Sequence, residues 1–248
     1  MSGIAANFAQ VRERIALACA AVAREASDVE LLAVSKFHVA DAVREALAVG
    51  QVAFGESRVQ DLVAKAQELK AEPQLQWHLI GSLQTNKVRE VLGVSNLALV
   101  HSLDRLKLAD ALQRELAASD RAASDRSASD RAASDRAASD RCLDVLLQVN
   151  ASGEEQKHGC DFDAVPALLD HVQANCPALR VRGLMAMGPL HGSARPAFDR
   201  VANLRDSLQQ RTGLALPTLS LGMSGDLEDA IAAGSTMVRI GTALFGER

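Results

Sequence analysis

A lysine directly follows a short apolar run near the start of the chain. Lys36 comes after residues 31–35, which read LLAVS and are typical of a buried strand. For an arbitrary lysine, the simplest interpretation is a solvated side chain at the start of a loop. At the mouth of a buried strand, however, partial burial lowers the pKa of a lysine amine and makes the neutral form available as a nucleophile. Lys36 is therefore a candidate for Schiff-base chemistry.

Two glycine-containing turns lie close together near the C-terminus. Residues 219–226 read LSLGMSGD and residues 238–246 read VRIGTALFG, so each segment is an apolar run that turns through glycine. Each turn offers backbone N–H groups and a hydroxyl, from Ser224 and Thr242, and such groups bind phosphate. One turn of this kind is most often ordinary turn chemistry. Two such turns on adjacent strands, opposite Lys36, predict a phosphate-binding site.

An amine opposite a phosphate cradle implies a ligand with both a carbonyl and a phosphate, and pyridoxal 5′-phosphate (PLP) is the economical candidate. Arg239, two residues before Gly241, alternates onto the same strand face and can reach the ring nitrogen. A salt bridge at the rim is an equally simple interpretation. An arginine that donates to this nitrogen keeps the pyridine unprotonated, because the guanidinium keeps its own proton. Such a ring is a weak electron sink, which points away from transamination-type chemistry.

The elements that must position these residues alternate regularly along the chain. Short runs rich in Val, Ile and Leu predict strands at 31–35, 52–54, 76–80, 97–101, 143–149, 181–186, 218–221 and 237–240. Helical periodicity predicts helices that include 39–49, 57–69, 161–175 and 196–211, with an additional helix at 4–25. Eight strand–helix units favour an α/β fold of the closed (β/α)8 TIM-barrel type. An open doubly wound sheet is the alternative, but its glycine-rich fingerprint after the first strand is missing.

In a barrel of this type, functional residues collect at the C-terminal ends of the strands. The residues predicted there are mostly polar or small: Lys36, 55–57, 81–84, Asn150, Met185, Met187, 222–225, Gly241 and Thr242. The barrel would therefore place Lys36 and both turns on the same rim.

Composition excludes several classes of protein. The net charge of −4 argues against a nucleic-acid-binding surface, and no window approaches 18 apolar residues, as a membrane span requires. Arg12, Glu13 and Arg14 interrupt the N-terminal apolar stretch, unlike a signal peptide. The four cysteines form no CxxC pair, which favours reduced thiols over disulfides or a zinc site. We expect a cytoplasmic protein without a metal.

Residues 117–141 form a low-complexity block, in which the unit AASDR occurs five times with one Ala-to-Ser change. A period of five does not match the 3.6 residues of a helical turn, so no apolar stripe results. We interpret the block as an insert into a single barrel domain of residues 1–248, either an exposed helix or disordered. A partner-binding arm is the functional alternative.

Several ordered motifs resemble the pyridoxal phosphate homeostasis proteins, the YggS/PROSC family. The resemblance runs from about residue 11 to 245, interrupted by the repeat block, and covers residues 31–36, 54–56, 78–87, 101–104, 182–187, 220–224 and 234–242. It implies a barrel like the N-terminal domain of alanine racemase, with PLP held as an internal aldimine on Lys36. Family members buffer or deliver PLP without an established turnover reaction. The implied partners are PLP and PLP-requiring apoenzymes, and we expect a monomer.

The resemblance also implies a set of cofactor-binding residues. Ser224, Gly241 and Thr242 would hold the phosphate, Arg239 would lie near the pyridine nitrogen and Ile80 beside the ring. Met223 and Ser57 complete the set.

The chain departs from the family pattern at two places besides the insert. Phe37, His38 and Val39 follow Lys36, where the family often has Thr directly after the lysine and Pro two positions later. The family's Gly-Glu-Asn is Gly55-Glu56-Ser57 here, so we expect the pocket wall near Ser57 to differ from that of the family.

Two other functions remain open. One is an amino-acid racemase or decarboxylase on the same barrel, and the other is noncovalent binding of a different phosphate ligand. Barrel racemases use a tyrosine from a second domain as the opposite-face base, whereas this chain has no tyrosine and ends seven residues after Gly241. His158, Cys160 or a water would have to replace that base. Lys157, in the loop after the fifth strand, is either a solvated lysine or a hand-off residue for departing PLP.

Overall fold

The computed structural model describes residues 3–127, 142–151 and 158–246. Eight parallel strands close into a barrel in sequence order, and the last strand pairs with the first. The strands are β1 (Glu30–Val34), β2 (Ala53–Glu56), β3 (Gln76–Leu79), β4 (Leu97–Leu103), β5 (Leu143–Val149), β6 (Leu179–Ala186), β7 (Thr218–Ser220) and β8 (Met237–Ile240). The predicted (β/α)8 barrel is confirmed.

Helices fill the gaps between the strands and surround the barrel. They are α1 (Gly3–Ala20), α2 (Ala40–Ala48), α3 (Val59–Glu68), α4 (Val88–Leu92), α5 (Leu106–Ser127), α6 (Val165–Asn175), α7 (Arg195–Thr212), α8 (Leu227–Ala232) and α9 (Thr242–Phe245). None of the helices in the described part of the chain combines the length and apolar character needed to cross a membrane.

The additional N-terminal helix α1 lies across the outside of the barrel. It buries Phe8, Val11, Ile15 and Cys19, whose spacing of three or four residues forms one helical stripe. This stripe packs where α1 contacts α2, α8 and α9. The helix ends at Ala20, before the predicted residue 25, and Ala23 already has a left-handed φ of 54°.

The core has two layers because successive strand residues face opposite sides of the sheet. Leu32, Ala53, Leu99, Leu146, Met185 and Met237 fill the barrel interior, and Ile80 packs on them. Alternate positions such as Ala33 and Phe54 belong to the larger cluster between strands and helices. The interior cluster forms a floor below the rim where the candidate residues lie.

Strand β6 begins at Leu179, two residues before the predicted start. Arg180 and Arg182 give this segment a polar appearance, but both side chains are exposed and form ion pairs with Asp144 of β5 at 2.7 and 3.8 Å. Such cross-strand ion pairs stabilise the N-terminal ends of β5 and β6, where the strands are exposed to solvent. Strand β4 similarly extends two residues past the predicted end, to Leu103.

Helix α5 continues through the first two copies of the pentapeptide repeat. Among the side chains of α5 that the structure describes, the buried ones, including Leu108, Leu112 and Leu116, precede the repeat. The later copies lie outside the described residues, as does Lys157.

All four cysteines carry free thiols.

Candidate functional site

A cavity of about 400 Å³ opens at the C-terminal ends of the strands. It is lined by Val34, Lys36, Ser57, Ile80, Gly81, Ser82, Gln148, His158, Met185, Met187, Met223, Ser224, Gly225, Arg239, Gly241 and Thr242. All eight residues expected to bind a cofactor lie in this lining. The fold therefore brings together the amine and both turns.

Lys36 reaches the cavity because it continues the inward-facing positions of β1, after Leu32 and Val34. Its side chain is exposed, so the expectation of partial burial is wrong. The strand ends at Val34, and the amine lies on the open rim above the packed interior. Phe37 then adopts a left-handed φ of 69°, which turns the chain sharply away after the lysine.

A buried polar cluster on the outer side of β1 fixes the residue before Lys36. Lys65 Nζ donates to the Ser35 carbonyl at 2.6 Å, and Ser35 Oγ donates to Glu56 Oε1 at 2.7 Å. Lys65 also forms an ion pair with Glu56. Burial raises the pKa of the Glu56 carboxyl, whereas the Lys65 ammonium opposes this shift. The cluster ties the ends of β1 and β2 to α3.

The turn after β7 requires glycine and is held from two sides. Gly222 has a φ of 91°, and a Cβ there would lie 2.5 Å from the Cβ of Ala230. Asp226 Oδ1 accepts from the Met223 backbone N–H at 2.6 Å. From α1, Arg14 Nη1 donates to the Ser224 carbonyl at 2.8 Å. These contacts fix the position of the Ser224 hydroxyl.

The same helix also supports the turn after β8. Asn7 Nδ2 donates to the Leu244 carbonyl at 3.0 Å, in the helical turn that follows Gly241 and Thr242. Arg14 additionally forms an ion pair with Glu228 of α8. Helix α1 therefore stabilises, through hydrogen bonds, both of the turns that are expected to bind phosphate.

Arg239 lies between the two turns and is only 5% exposed. Its Nη1 donates to the carbonyl and to the Oγ of Ser220, the latter at 2.8 Å, and its Nη2 donates to the Ala186 carbonyl at 2.9 Å. Burial lowers the pKa of Arg239 to about 10, which still leaves it charged at neutral pH. The alternative of a rim salt bridge does not hold, because these partners are neutral groups.

Two buried histidines continue this hydrogen-bonded chain inside the barrel. His101 Nδ1 lies 3.2 Å from Ser220 Oγ, and His101 Nε2 lies 3.0 Å from His78 Nδ1. Burial lowers the pKa of His78 to about 4 and also lowers that of His101, where Arg239 and His78 add to the effect. Both rings are neutral at pH 7, so each ring carries one N–H and one acceptor nitrogen.

Ser57, which directly follows β2, forms part of the cavity wall. Gly81 approaches it so closely that a Cβ on Gly81 would lie 1.9 Å from the Ser57 carbonyl oxygen. Phe37, His38 and Val39, the other departures from the family pattern, line a neighbouring hollow together with Lys65. Of the two places where the chain departs from the family, Ser57 is the one that reaches the cavity.

The two residues proposed as substitutes for the racemase base differ in their placement. His158 is exposed and lines the cavity. Cys160 is half-buried against β5, where its backbone N–H donates to the Gln148 carbonyl at 2.7 Å. Burial, followed by Asp161 and Asp104, raises the pKa of the Cys160 thiol. Cys160 therefore lacks the ready thiolate that a base would need.

Several contributing residues were not identified from the sequence. Gln148 lies in the cavity wall, and Arg14, Ser220 and Lys65 support the wall from outside or below. The inward alternation of β5 could have indicated Gln148, a polar residue in an apolar run. Nothing in the local pattern of α1 distinguishes Arg14 from a surface arginine.

The lining fits PLP by its chemistry. It offers a primary amine from Lys36, hydroxyls at two small-residue turns, a buried guanidinium between them and apolar contacts from Ile80 and Met223. These groups match an aldehyde, a phosphate, a ring nitrogen and an aromatic ring, respectively.

Comparison with known proteins gives a consistent result. The family model described as "Alanine racemase, N-terminal domain" matches residues 4–248. The pyridoxal phosphate homeostasis protein of Pseudomonas aeruginosa is 44% identical over 248 residues, covering 100% of this chain and 97% of the relative. That of Aquifex aeolicus is 39% identical, covering 98% and 97%.

Solved structures agree with these relatives. PipY of Synechococcus elongatus PCC7942, solved with PLP bound, superposes with a TM-score of 0.78 at 33% identity, covering 98% of this chain and 100% of PipY. Alanine racemase of Corynebacterium glutamicum superposes with a TM-score of 0.61 at 17% identity, and this chain spans 61% of it. The second similarity shows the fold alone.

Proposed function

Since this chain belongs to the alanine racemase N-terminal domain family, and within it to the pyridoxal phosphate homeostasis proteins, we propose that it binds PLP in the rim cavity and acts in PLP homeostasis. The observation that carries this proposal is the single cavity lined by Lys36, Arg239 and both hydroxyl-bearing turns. PLP supplies an aldehyde that condenses reversibly with a primary amine.

Different residues of the cavity bind different parts of PLP. Lys36 supplies the primary amine for covalent attachment. Ser224, Gly241 and Thr242 bind the phosphate through hydroxyl and backbone N–H groups. Ile80 and Met223 contact the ring, and Ser57 contributes a single hydroxyl to the wall.

Arg239 has a distinct role toward the ring nitrogen. It remains charged at neutral pH, although burial lowers its pKa to about 10. A charged guanidinium donates hydrogen bonds and accepts none, so it favours an unprotonated ring nitrogen. This supports storage of the cofactor over chemistry that needs a strong electron sink.

We therefore propose a carrier without turnover, which passes PLP to PLP-requiring apoenzymes. The absence of tyrosine from the sequence supports this over the racemase alternative. The racemase alternative rests on His158, which lines the cavity and is a candidate for the second base. Four free thiols support a reducing, cytoplasmic location, and we propose that the chain acts as a monomer.

Titration with PLP tests the covalent part of the proposal. Wild-type protein should develop the visible absorbance of covalently held PLP and lose it on borohydride reduction. Lys36→Ala should abolish this absorbance and leave weak, phosphate-dependent binding. Lys70→Ala, at an exposed position on another face, is the matched control and should behave like wild type.

Two results would contradict the proposal in different ways. An unchanged spectrum in Lys36→Ala would assign the amine to another lysine. Binding of PLP without a borohydride-sensitive absorbance in the wild type would favour noncovalent binding of a phosphate ligand.

A further inference from the structure

Three potential metal ligands of different chemical types meet on the outside of the barrel, away from the PLP cavity. They are Asp110 of α5, His171 of α6 and Cys176, which directly follows α6. Their donor atoms all lie within 4.8 Å of one another. The carboxylate comes from one helix and the other two groups from its neighbour, so the cluster depends on the packing of α5 against α6.

The separations lie within about 1 Å of those that a small cation requires. Ligand bonds to Zn²⁺ are about 2.0–2.3 Å long, so the ligand atoms of a tetrahedral site lie roughly 3.3–3.8 Å apart. His171 Nε2 lies 2.6 Å from Asp110 Oδ1, a hydrogen bond that a cation would replace after a shift of about 1 Å. Asp110 is exposed and can move by rotation of its side chain, whereas Cys176 is buried and fixed.

The local charge also favours a cation. Cys176 directly follows the last turn of α6, where carbonyl groups give the helix end a partial negative charge. Arg211 is paired with Asp170, the neighbour of His171, at 2.7 and 2.9 Å. Its positive charge is therefore compensated by a carboxylate other than Asp110.

We propose that Asp110, His171 and Cys176 form a binding site for Zn²⁺, with the fourth position taken by solvent. A ligand set of thiolate, imidazole and carboxylate favours the binding of zinc over that of magnesium or calcium. On binding, the S–H bond of Cys176 breaks, its proton passes to solvent and an S–Zn bond forms, with no change in oxidation state. Neutral His171 binds through one nitrogen lone pair.

A bound cation would link α5 to α6 and so clamp the helix that leads into the repeat block. Any ligand that binds only the folded state raises the midpoint of thermal unfolding. Zinc should therefore raise this midpoint in the wild type, independently of PLP binding.

The test uses the full-length, untagged protein, free of PLP and stripped of metal with a chelator. Titration with Co²⁺ should give one ion per chain and a thiolate-to-cobalt charge-transfer band in the near ultraviolet, which added Zn²⁺ removes. Cys176→Ser should abolish the band. Asp110→Asn and His171→Gln, which change less buried positions, should weaken binding by at least about tenfold.

Cys142→Ser and Cys160→Ser are the matched controls and should keep the band. The proposal fails if no band forms, if the band persists in Cys176→Ser, or if Asp110→Asn and His171→Gln both bind Co²⁺ like wild type. The two substitutions of surface ligands keep the test decisive if Cys176→Ser does not fold.

Discussion

At the scale of single residues, the most constrained side chain of the site is Arg239. Its guanidinium donates to Ser220 and to the Ala186 carbonyl, and Ser220 in turn contacts the buried histidine pair. An acidic group at this position would stabilise a protonated ring nitrogen, but a charged arginine does the opposite. The barrel interior therefore fixes where Arg239 lies, and in the proposed PLP complex this position favours an unprotonated ring nitrogen.

Ser57 is the residue at which the cavity differs from the family pattern. Serine offers one donor where asparagine offers two, and it is shorter. Ser57→Asn is expected to tighten PLP binding by about 0.5–1.5 kcal/mol, the net value of one hydrogen bond. The measurement is a PLP titration of wild type and variant at the same pH.

Ser95→Asn is the control for this substitution, since Ser95 is exposed before β4 at the opposite end of the barrel. It should leave the affinity unchanged. Equal or weaker binding by Ser57→Asn would show that the surrounding wall has adapted to serine.

The residues that could be predicted from the sequence are those at strand ends, because strand position alone places them on one rim. Lys36, Ser224 and Thr242 belong to this group. Arg14 and Lys65 could not be predicted in this way, because their roles depend on contacts with segments distant in sequence. His78 and His101 lie within strands β3 and β4. Their contact could not be predicted, because it depends on how the two strands pair in the closed barrel.

At the scale of elements, helix α1 supports the two turns that line the cavity. Through Arg14 and Asn7 it contacts the turns after β7 and β8. The strands themselves were predictable from apolar runs. Their ends differ from the prediction by one or two residues where exposed polar residues such as Arg180 interrupt the apolar run.

The repeat block is expected to be dispensable for PLP binding. Helix α5 starts at the rim and runs away from the cavity, and its 22 residues span about 33 Å. Deletion of residues 117–141 should therefore leave PLP affinity within about threefold, less than about 1 kcal/mol. PLP titration together with thermal unfolding measures both affinity and barrel stability.

The deletion retains Leu108, Leu112 and Leu116, which pack α5 on the barrel. A loss of affinity well beyond threefold, with unfolding unchanged, would mean that the insert reaches the cavity. A fall in the unfolding midpoint would instead mean that it supports the barrel.

At the scale of the whole molecule, the number of acid–base groups that can reach PLP in the cavity distinguishes a carrier from a racemase. Racemisation needs a base on each face of the ring, and Lys36 can serve only one. A positioned acid–base group contributes roughly 10²- to 10⁴-fold to a rate. We therefore expect at most slow exchange when PLP-loaded protein is incubated with L-alanine and other L-amino acids.

Chiral chromatography of the products measures the D-enantiomer directly. Turnover above about 1 s⁻¹, within the ordinary range of enzymes, would overturn the carrier assignment and favour a racemase. His158→Ala, which alters the candidate base in the wall, would then show whether that residue serves the second face.

The central claim is that Lys36 holds PLP covalently within this cavity. The most direct measurement is borohydride reduction of the PLP-loaded protein, followed by proteolysis and mass spectrometry of the peptides. The account predicts a single phosphopyridoxyl modification, on the peptide that carries Lys36, at a stoichiometry of about one per chain. Modification mainly at another lysine, such as Lys65 or Lys157, or no modification of a protein that still binds PLP, would contradict it.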